Sequence, residues 1–329
     1  MKAAVIAQFG GPEGLVVRDV PTPVARPHEV LIRVYASALN RADVLQRLGR
    51  YPPPNDVPRD IPGIELAGMV EALGPDAGRW HVGDRVFGLV GGGAHAEFAV
   101  AHEETLARVP DALDWSGAAA VPEAFITAHD ALVMQANLRA TENVLVLAAG
   151  SGVGLAAIQI VRAWGGVPFG TSRTADKIQR AREFGLEDGM ALTGPDELAA
   201  AVSRWTEQRG MDVVLDLLGG AYVPACIDAL ALKGRMMLVG AVAGAQATID
   251  IRRILGKRVT LRGTVLRARP LAEKIGVTRA FSEQVVPRLE SGELRPVIDS
   301  EYSLHQIADA HRRMESNESF GKIVISLQR

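Results

Sequence analysis

Ala149-Gly150-Ser151-Gly152-Val153-Gly154 stands between the apolar run Asn143-Val144-Leu145-Val146-Leu147 and a helical stretch over 154–164. A glycine-rich turn leading from a strand into a helix aims backbone N–H groups, and the positive end of the helix dipole, at an anion; the pyrophosphate of a dinucleotide is the ligand such a turn takes. Laid on G-x-G-x-x-G, the first two glycines become Ala149 and Ser151 and only Gly154 stands in place. The Ser151 hydroxyl compensates by bonding to a phosphate or to a nicotinamide amide. A tight turn without a ligand is the plainer alternative.

The next strand decides which dinucleotide fits. It ends Val167-Pro168-Phe169-Gly170-Thr171-Ser172-Arg173, with no carboxylate before Asp176. A carboxylate there binds ribose hydroxyls and repels a 2′-phosphate, whereas Ser172, Arg173 and Lys177 bind one through charge-assisted hydrogen bonds. NADPH is therefore expected over NADH. The competing reading of Arg173 and Lys177 is two solvated charges at a helix start.

The elements that position these residues are legible in the patterning. Over the first 120 or so residues short alternating runs broken by Gly and Pro (2–7, 30–36, 67–73, 84–88, 95–100) predict an irregular, mostly β domain. From about Pro122 strand-like runs at 143–147, 167–171, 212–217, 235–240 and 259–263 alternate with helical patterns at 154–164, 175–184 and 196–208. This alternation predicts a doubly wound parallel sheet. An amphipathic stretch over 271–290, a helix over 304–314 and a strand over 321–326 close the chain. The expected division is 1–121 with 298–329 for the β-rich domain and 122–297 for the nucleotide-binding domain.

With 329 residues, 48% hydrophobic, the chain is long enough for two cores. A net charge of -2 and the absence of any basic block give no footprint for nucleic acid. No apolar run is long enough for a signal peptide or a membrane span, so a cytoplasmic location is expected. The single cysteine, Cys226, excludes an intrachain disulfide and any multi-cysteine zinc site. It lies among helical apolar residues, and a buried, inert thiol is expected. Asp216, ending a strand, is expected to cap the next helix.

From end to end the chain resembles the zinc-independent quinone oxidoreductase (zeta-crystallin-like) branch of the medium-chain dehydrogenase/reductase superfamily, and within it the subgroup typified by the tumour-suppressor-inducible quinone oxidoreductase. The resemblance is carried by Leu39-Asn40-Arg41-Ala42-Asp43-Val44-Leu45-Gln46-Arg47, Gly49-Arg50-Tyr51-Pro52-Pro53-Pro54 and Pro62-Gly63-Ile64-Glu65-Leu66-Ala67-Gly68. It continues through the turn at Ala149, Leu215-Asp216-Leu217-Leu218-Gly219-Gly220, Arg262-Gly263-Thr264-Val265-Leu266-Arg267 and Gly292-Glu293-Leu294-Arg295-Pro296-Val297-Ile298. It implies an α/β chain with a GroES-like, mostly β catalytic domain and a doubly wound parallel Rossmann domain, NADPH in the cleft between them, and a homodimer or homotetramer. By position it implies Asn40 and Tyr51 at the nicotinamide and substrate end. Ala149, Ser151, Gly152, Val153 and Gly154 fall at the pyrophosphate, and Thr127, Gly240, Ala241, Val242, Gly263, Thr264 and Val265 among the other cofactor contacts. The chain departs from the pattern at Leu192, where a tyrosine often helps hold the adenosine phosphate, and at His95, where tyrosine is frequent.

Zinc-dependent relatives carry a cysteine where this chain has Asn40-Arg41-Ala42 and a histidine where it has Ile64. Without a metal to stabilise an alkoxide, simple alcohol oxidation is disfavoured. A quinone needs less help, because the anion left by hydride addition is delocalised over an aromatic product, and positioning with a hydrogen bond from Tyr51 or Asn40 suffices. For Tyr51 the alternative is a turn tyrosine packed on Pro52 and Pro53; for Asn40 it is the N-cap of a helix over 41–48. Two competing functions stay open: an NADPH-dependent double-bond (enone or enoyl) reductase, and a non-catalytic nucleotide- or RNA-binding protein.

Overall fold

The chain opens with an antiparallel ribbon of β1 (Lys2–Ile6) and β2 (Leu15–Asp19), then enters the long β3 (Glu29–Leu39), whose Val30, Ile32 and Val34 are buried while Arg33 is exposed. This period-two burial is that of an antiparallel strand with one face on a core. The computed structural model describes residues 1–327 and divides into two units, one made of Met1–Ile126 and Leu266–Arg329, the other of Thr127–Val265.

In the first unit, α1 (Arg41–Arg47) follows β3, and β4 (Glu65–Leu73), β5 (Arg85–Leu89), β6 (Phe98–His102) and β7 (Leu106–Arg108) complete the chain's first pass, before α2 (Trp115–Ala119). The sheet runs β14-β15-β3-β4-β5-β7, with β6 also on β3; β14 (Ile298–Ser303) and β15 (Lys322–Ser326) come from the far end of the chain and pair in parallel. Every other pairing in this sheet is antiparallel.

The second unit is an alternation of β8 (Asn143–Val146), α3 (Gly152–Ala163), β9 (Val167–Ser172), α4 (Ala175–Ala181), β10 (Asp188–Ala191), α5 (Leu198–Trp205), β11 (Met211–Asp216), α6 (Tyr222–Ala229), β12 (Leu230–Leu238), α7 (Ile251–Lys257) and β13 (Thr260–Gly263). All pairings are parallel, in the order β10-β9-β8-β11-β12-β13. The order steps outward from β8 in one direction and from β11 in the other, which is the Rossmann arrangement, with its ligand crevice at the carboxyl ends of those two strands. The α/β class with a GroES-like β unit and a parallel-sheet unit is the one expected.

The division of the chain differs from the expected 297/298 boundary. Residues 266–297, with α8 (Leu271–Gln284) and α9 (Val286–Glu290), group with the β-rich unit. The reason is apolar: Phe281 lies edge-on to Phe87 of β5, with ring centroids 5.8 Å apart, and Val285, Leu289 and Leu294 are buried with it. The amphipathic stretch over 271–290 is broken at Val285, because Pro287 lacks an N–H and its ring clashes with the preceding turn. The last helix, α10 (Ile307–Ser316), buries Ile307, Ala310 and His311. Among the described residues no helix is long and apolar enough to cross a membrane.

Candidate active site

In the parallel-sheet unit, the nominated residues other than Thr127 and Lys177, which are helical, lie on or just past the carboxyl ends of strands, and so along one end of the sheet: Ser151 to Gly154 after β8, Ser172 and Arg173 at β9, Gly240 to Val242 after β12, and Gly263 to Val265 at β13. Ser151 caps α3, its Oγ accepting from the Gly154 N–H at 3.0 Å. That bond uses one lone pair and leaves the hydroxyl hydrogen to donate. The first-turn N–H groups of Gly152 and Val153 are of the kind a helix leaves without an internal acceptor.

Gly154 is required by space, since a Cβ there would stand 2.4 Å from the Ala148 carbonyl oxygen. Ala149, which replaces a glycine of the pattern, is buried and packs its methyl group where a Cβ on Gly170 would come within 2.8 Å. The small residue has moved from the turn to the neighbouring strand. The turn therefore presents backbone N–H groups and a hydroxyl at a helix N-terminus, donors of the kind that an anion takes.

Ser172 is half-buried, Arg173 exposed, and Lys177 half-buried one turn into α4. Asp176 pairs with Arg180 at 3.6 Å. Leu192, where the family often has tyrosine, is buried. A Cβ on Gly240 would stand 2.4 Å from the Leu217 carbonyl oxygen, so the turns after β11 and β12 touch backbone to backbone; the Ala243 N–H reaches Leu218 O at 2.8 Å. Asp216 caps the first of these turns, accepting from the Leu218 and Gly219 N–H groups at 2.8 and 2.9 Å, and burial holds its carboxyl above the usual range. Thr264 accepts from Gln135 Nε2 at 2.8 Å, which also donates to Asp130 at 2.6 Å. Ala241, Val242 and Val265 are exposed, and Thr127 is buried in a helical run over 122–135 that is largely π-wound. Cys226 is fully buried, and burial pushes its thiol well above the usual range.

In the β-rich unit, Asn40 is the N-cap residue of α1, and its N–H donates to Asp43 Oδ2 at 2.8 Å. Its side chain is engaged on both ends. Nδ2 donates to Glu65 Oε1 at 2.7 Å and to Ala38 O at 3.2 Å, and Oδ1 accepts from Lys322 Nζ at 2.6 Å. Lys322 Nζ also donates to Glu65 Oε1 at 2.6 Å and to Leu39 O at 3.2 Å, while Glu65 Oε2 accepts from the Glu123 N–H at 2.7 Å. Ammonium, carboxylate and amide thus form a closed, buried triangle from β15, β4 and the end of β3. Sequence reasoning missed Lys322 and gave Glu65 no role.

Where the resemblance places the ligands of zinc relatives, this chain has Asn40-Arg41-Ala42 and Ile64, and the residues there do not suit the metal. Asn40 is spent on Glu65 and Lys322, Ile64 is apolar and buried, and among the described residues no three His, Cys, Asp or Glu side chains are grouped so that they could hold a metal ion.

Tyr51 is half-buried after α1, with the Arg267 guanidinium 5.2 Å from its ring centroid. Burial raises the Tyr51 phenol above its ordinary value, with Arg267 acting to lower it and Glu123 to raise it. Arg267 appeared in the sequence only within a motif.

His95 is a core residue, fully buried, with Nδ1 2.8 Å from Ser37 Oγ and Nε2 3.8 Å from Asp43 Oδ2. Burial works against the Asp43 charge, but His95 and the N–H groups of Gly63 and Asn40 prevail and hold its carboxyl below the usual range. Arg47 and His311 are buried with them, and Arg47 Nη2 reaches Glu315 at 2.5 Å.

Known proteins agree with this architecture. A family model described as alcohol dehydrogenase GroES-like domain matches residues 26–111, and one described as zinc-binding dehydrogenase matches residues 193–325. The human quinone oxidoreductase is 31% identical over 333 residues, covering 99% of this chain and 98% of that one. Among solved structures, an NAD-dependent alcohol dehydrogenase has a TM-score of 0.88 at 31% identity, covering all of both chains. A mycobacterial protein complexed with NADPH has a TM-score of 0.88 at 28% identity, covering 99% of this chain and 100% of that one. Likeness over the whole length, in sequence and in both units, makes this chain a member of the medium-chain dehydrogenase/reductase superfamily with the quinone oxidoreductases among its relatives.

Proposed function

We propose that this protein is a metal-independent, NADPH-dependent oxidoreductase that reduces quinones. The carrying observation is the Asn40–Glu65–Lys322 triangle: of the two places where zinc relatives carry ligands, one holds Asn40, committed to Glu65 and Lys322, and the other the apolar Ile64, which favours an acceptor that needs no Lewis acid. A bound nicotinamide supplies the hydride. Gly152, Val153 and Ser151 hold its pyrophosphate, and Arg173 with Lys177 favours a 2′-phosphate. One solved relative is described as NAD-dependent and another as complexed with NADPH, so these local charges make the choice. Tyr51 donates a hydrogen bond to the quinone oxygen as charge develops there; Asn40, with both amide hydrogens engaged, serves to hold that wall of the pocket.

The test monitors the loss of reduced-nicotinamide absorbance with a benzoquinone, a naphthoquinone, an enone and an aldehyde, under NADPH and NADH, with and without a chelator. Quinone turnover that prefers NADPH and ignores the chelator is expected. Turnover confined to the enone would move the assignment to a double-bond reductase; loss to the chelator would restore a metal. Arg173→Glu is expected to raise the KM for NADPH roughly tenfold, through loss of a charge-assisted contact, and to leave that for NADH nearly unchanged.

We further propose a homodimer through the β13 edge. This strand has a neighbour on one side only, and Ile251 and Leu255, one turn apart on α7, are 66% and 68% exposed. An open edge, and exposed aliphatic side chains on the helix that leads into it, favour pairing with a second copy. Light scattering is expected to give twice the chain mass, falling to one chain in Leu255→Glu.

A further inference from the structure

We propose that Arg267 is the positioning residue of the acceptor pocket, holding the Tyr51 ring from one face and keeping a buried positive charge over that ring. This rests on the reading of Tyr51 as the acceptor's hydrogen-bond donor.

The guanidinium is fixed in orientation. Nε donates to Gly91 O at 2.7 Å and Nη2 to Gln46 Oε1 at 2.6 Å, and Gln46 is itself buried and tied to Arg59 O at 3.1 Å. Two anchors from separate segments fix a planar group in a way one anchor cannot. Arg267 is 8% exposed, yet among the described residues no carboxylate forms an ion pair with it, and Nη1 has no hydrogen-bond partner. Burying a cation without an ion-paired carboxylate carries a heavy desolvation penalty. What this charge faces is the π-face of Tyr51, 5.2 Å away, a weak partner in exchange for so much desolvation.

The arrangement makes sense when negative charge appears nearby. A phenol next to a cation is a stronger donor, and it strengthens further as the acceptor oxygen takes on charge, so the interaction is larger in the transition state than before it. Half-buried Lys274, whose ammonium burial makes less basic, adds positive charge near Arg267. The opposing charges are Asp43, the strongest of those acting on Arg267, Glu123, which acts on both Arg267 and Tyr51, and Asp56 near Lys274, and none of them forms an ion pair with Arg267.

The experiment reads the tyrosine directly. The chain has only 4 tyrosines, so alkaline absorbance titration of the parent, with Tyr51→Phe subtracted, isolates Tyr51. In Arg267→Met the Tyr51 midpoint is expected to rise by about one pH unit, and kcat for a benzoquinone to fall roughly tenfold with the KM for NADPH unchanged. Gln46→Leu, which removes an anchor and keeps the charge, is expected to move both in the same direction by less, and it serves if Arg267→Met does not fold. A Tyr51 midpoint that stays put in the folded variants overturns the proposal whatever the rates do. Full quinone turnover in Tyr51→Phe overturns the donor reading instead, and with it any effect of Arg267 on the reaction, while the titration separately reports whether the pair exists.

Discussion

Lys322→Met is expected to cost the β-rich unit about 3–5 kcal/mol, the usual penalty for leaving one member of a buried ion pair behind. Glu65 is fully buried and Lys322 nearly so, and the ammonium spends its hydrogens on Glu65, Asn40 and Leu39. With the ammonium gone, the carboxylate keeps only the Asn40 amide and the Glu123 N–H. The pair as a whole is worth far less than this figure, because forming it required the desolvation of two ions. Adding Glu65→Gln to Lys322→Met should therefore recover much of the loss, leaving a neutral amide where the variant would otherwise hold a bare charge. Guanidinium unfolding followed by tryptophan fluorescence suits the measurement, with Trp80 and Trp115 in this unit. A single variant that unfolds at the parent's midpoint would show that the triangle contributes nothing to stability.

Acidification below about pH 6.5 is expected to destabilise the same unit through His311. Its imidazole is fully buried, neither ring nitrogen has a hydrogen-bond partner, and burial lowers its pKa to about 3. Asp43 opposes this, while His95 and Arg47 add to it; Glu315, on the same helix, neutralises part of Arg47. A histidine whose folded pKa lies below its unfolded value contributes its full stability above about pH 6.5 and loses it as pH falls toward 3. The loss is about 1.4 kcal/mol per pH unit once the unfolded form is protonated, or roughly 2–3 kcal/mol by about pH 4.5. Asp43 and Glu103, both held below their ordinary values, lose their contributions only as pH falls below those values, 3.8 and 4.5, so the two effects separate. His311→Leu should flatten the stability curve between about pH 6.5 and 4.5 and leave the steeper fall below it. A curve of the parent's shape in that variant would assign the acid sensitivity to another group.

The buried parallel strands were legible because each is an apolar run bounded by turns: Val144 to Val146 and Val213 to Leu215 read as interior strands without help from anything distant. β10 was not legible. Its Asp188-Gly189-Met190-Ala191 has little strand propensity, and Gly189 is there because a Cβ would come within 2.7 Å of Gly170 O. The glycine turn was read in the right place, but the logic of Ala149 needed Gly170 on another strand. For Asn40 the sequence offered a choice between cap and pocket wall; the structure makes it the N-cap residue and commits its side chain to partners 25 and 282 residues away. Arg267 and Lys322 escaped notice for the same reason. Their meaning lies in pairings across the chain, which no local pattern encodes.

The return of β15 to pair with β3 also sets a timetable for synthesis. Residues 127–265 form a continuous segment whose sheet draws on nothing outside it, so this unit can complete while the ribosome is still at work. The unit that begins first finishes last: Glu65 waits for a lysine 257 residues downstream, and until it emerges β3 presents an open edge and the nascent core holds a carboxylate without its cation. Truncation or slow translation at β15 would thus strike the first-made half of the molecule, and chaperone engagement should concentrate on residues 1–126.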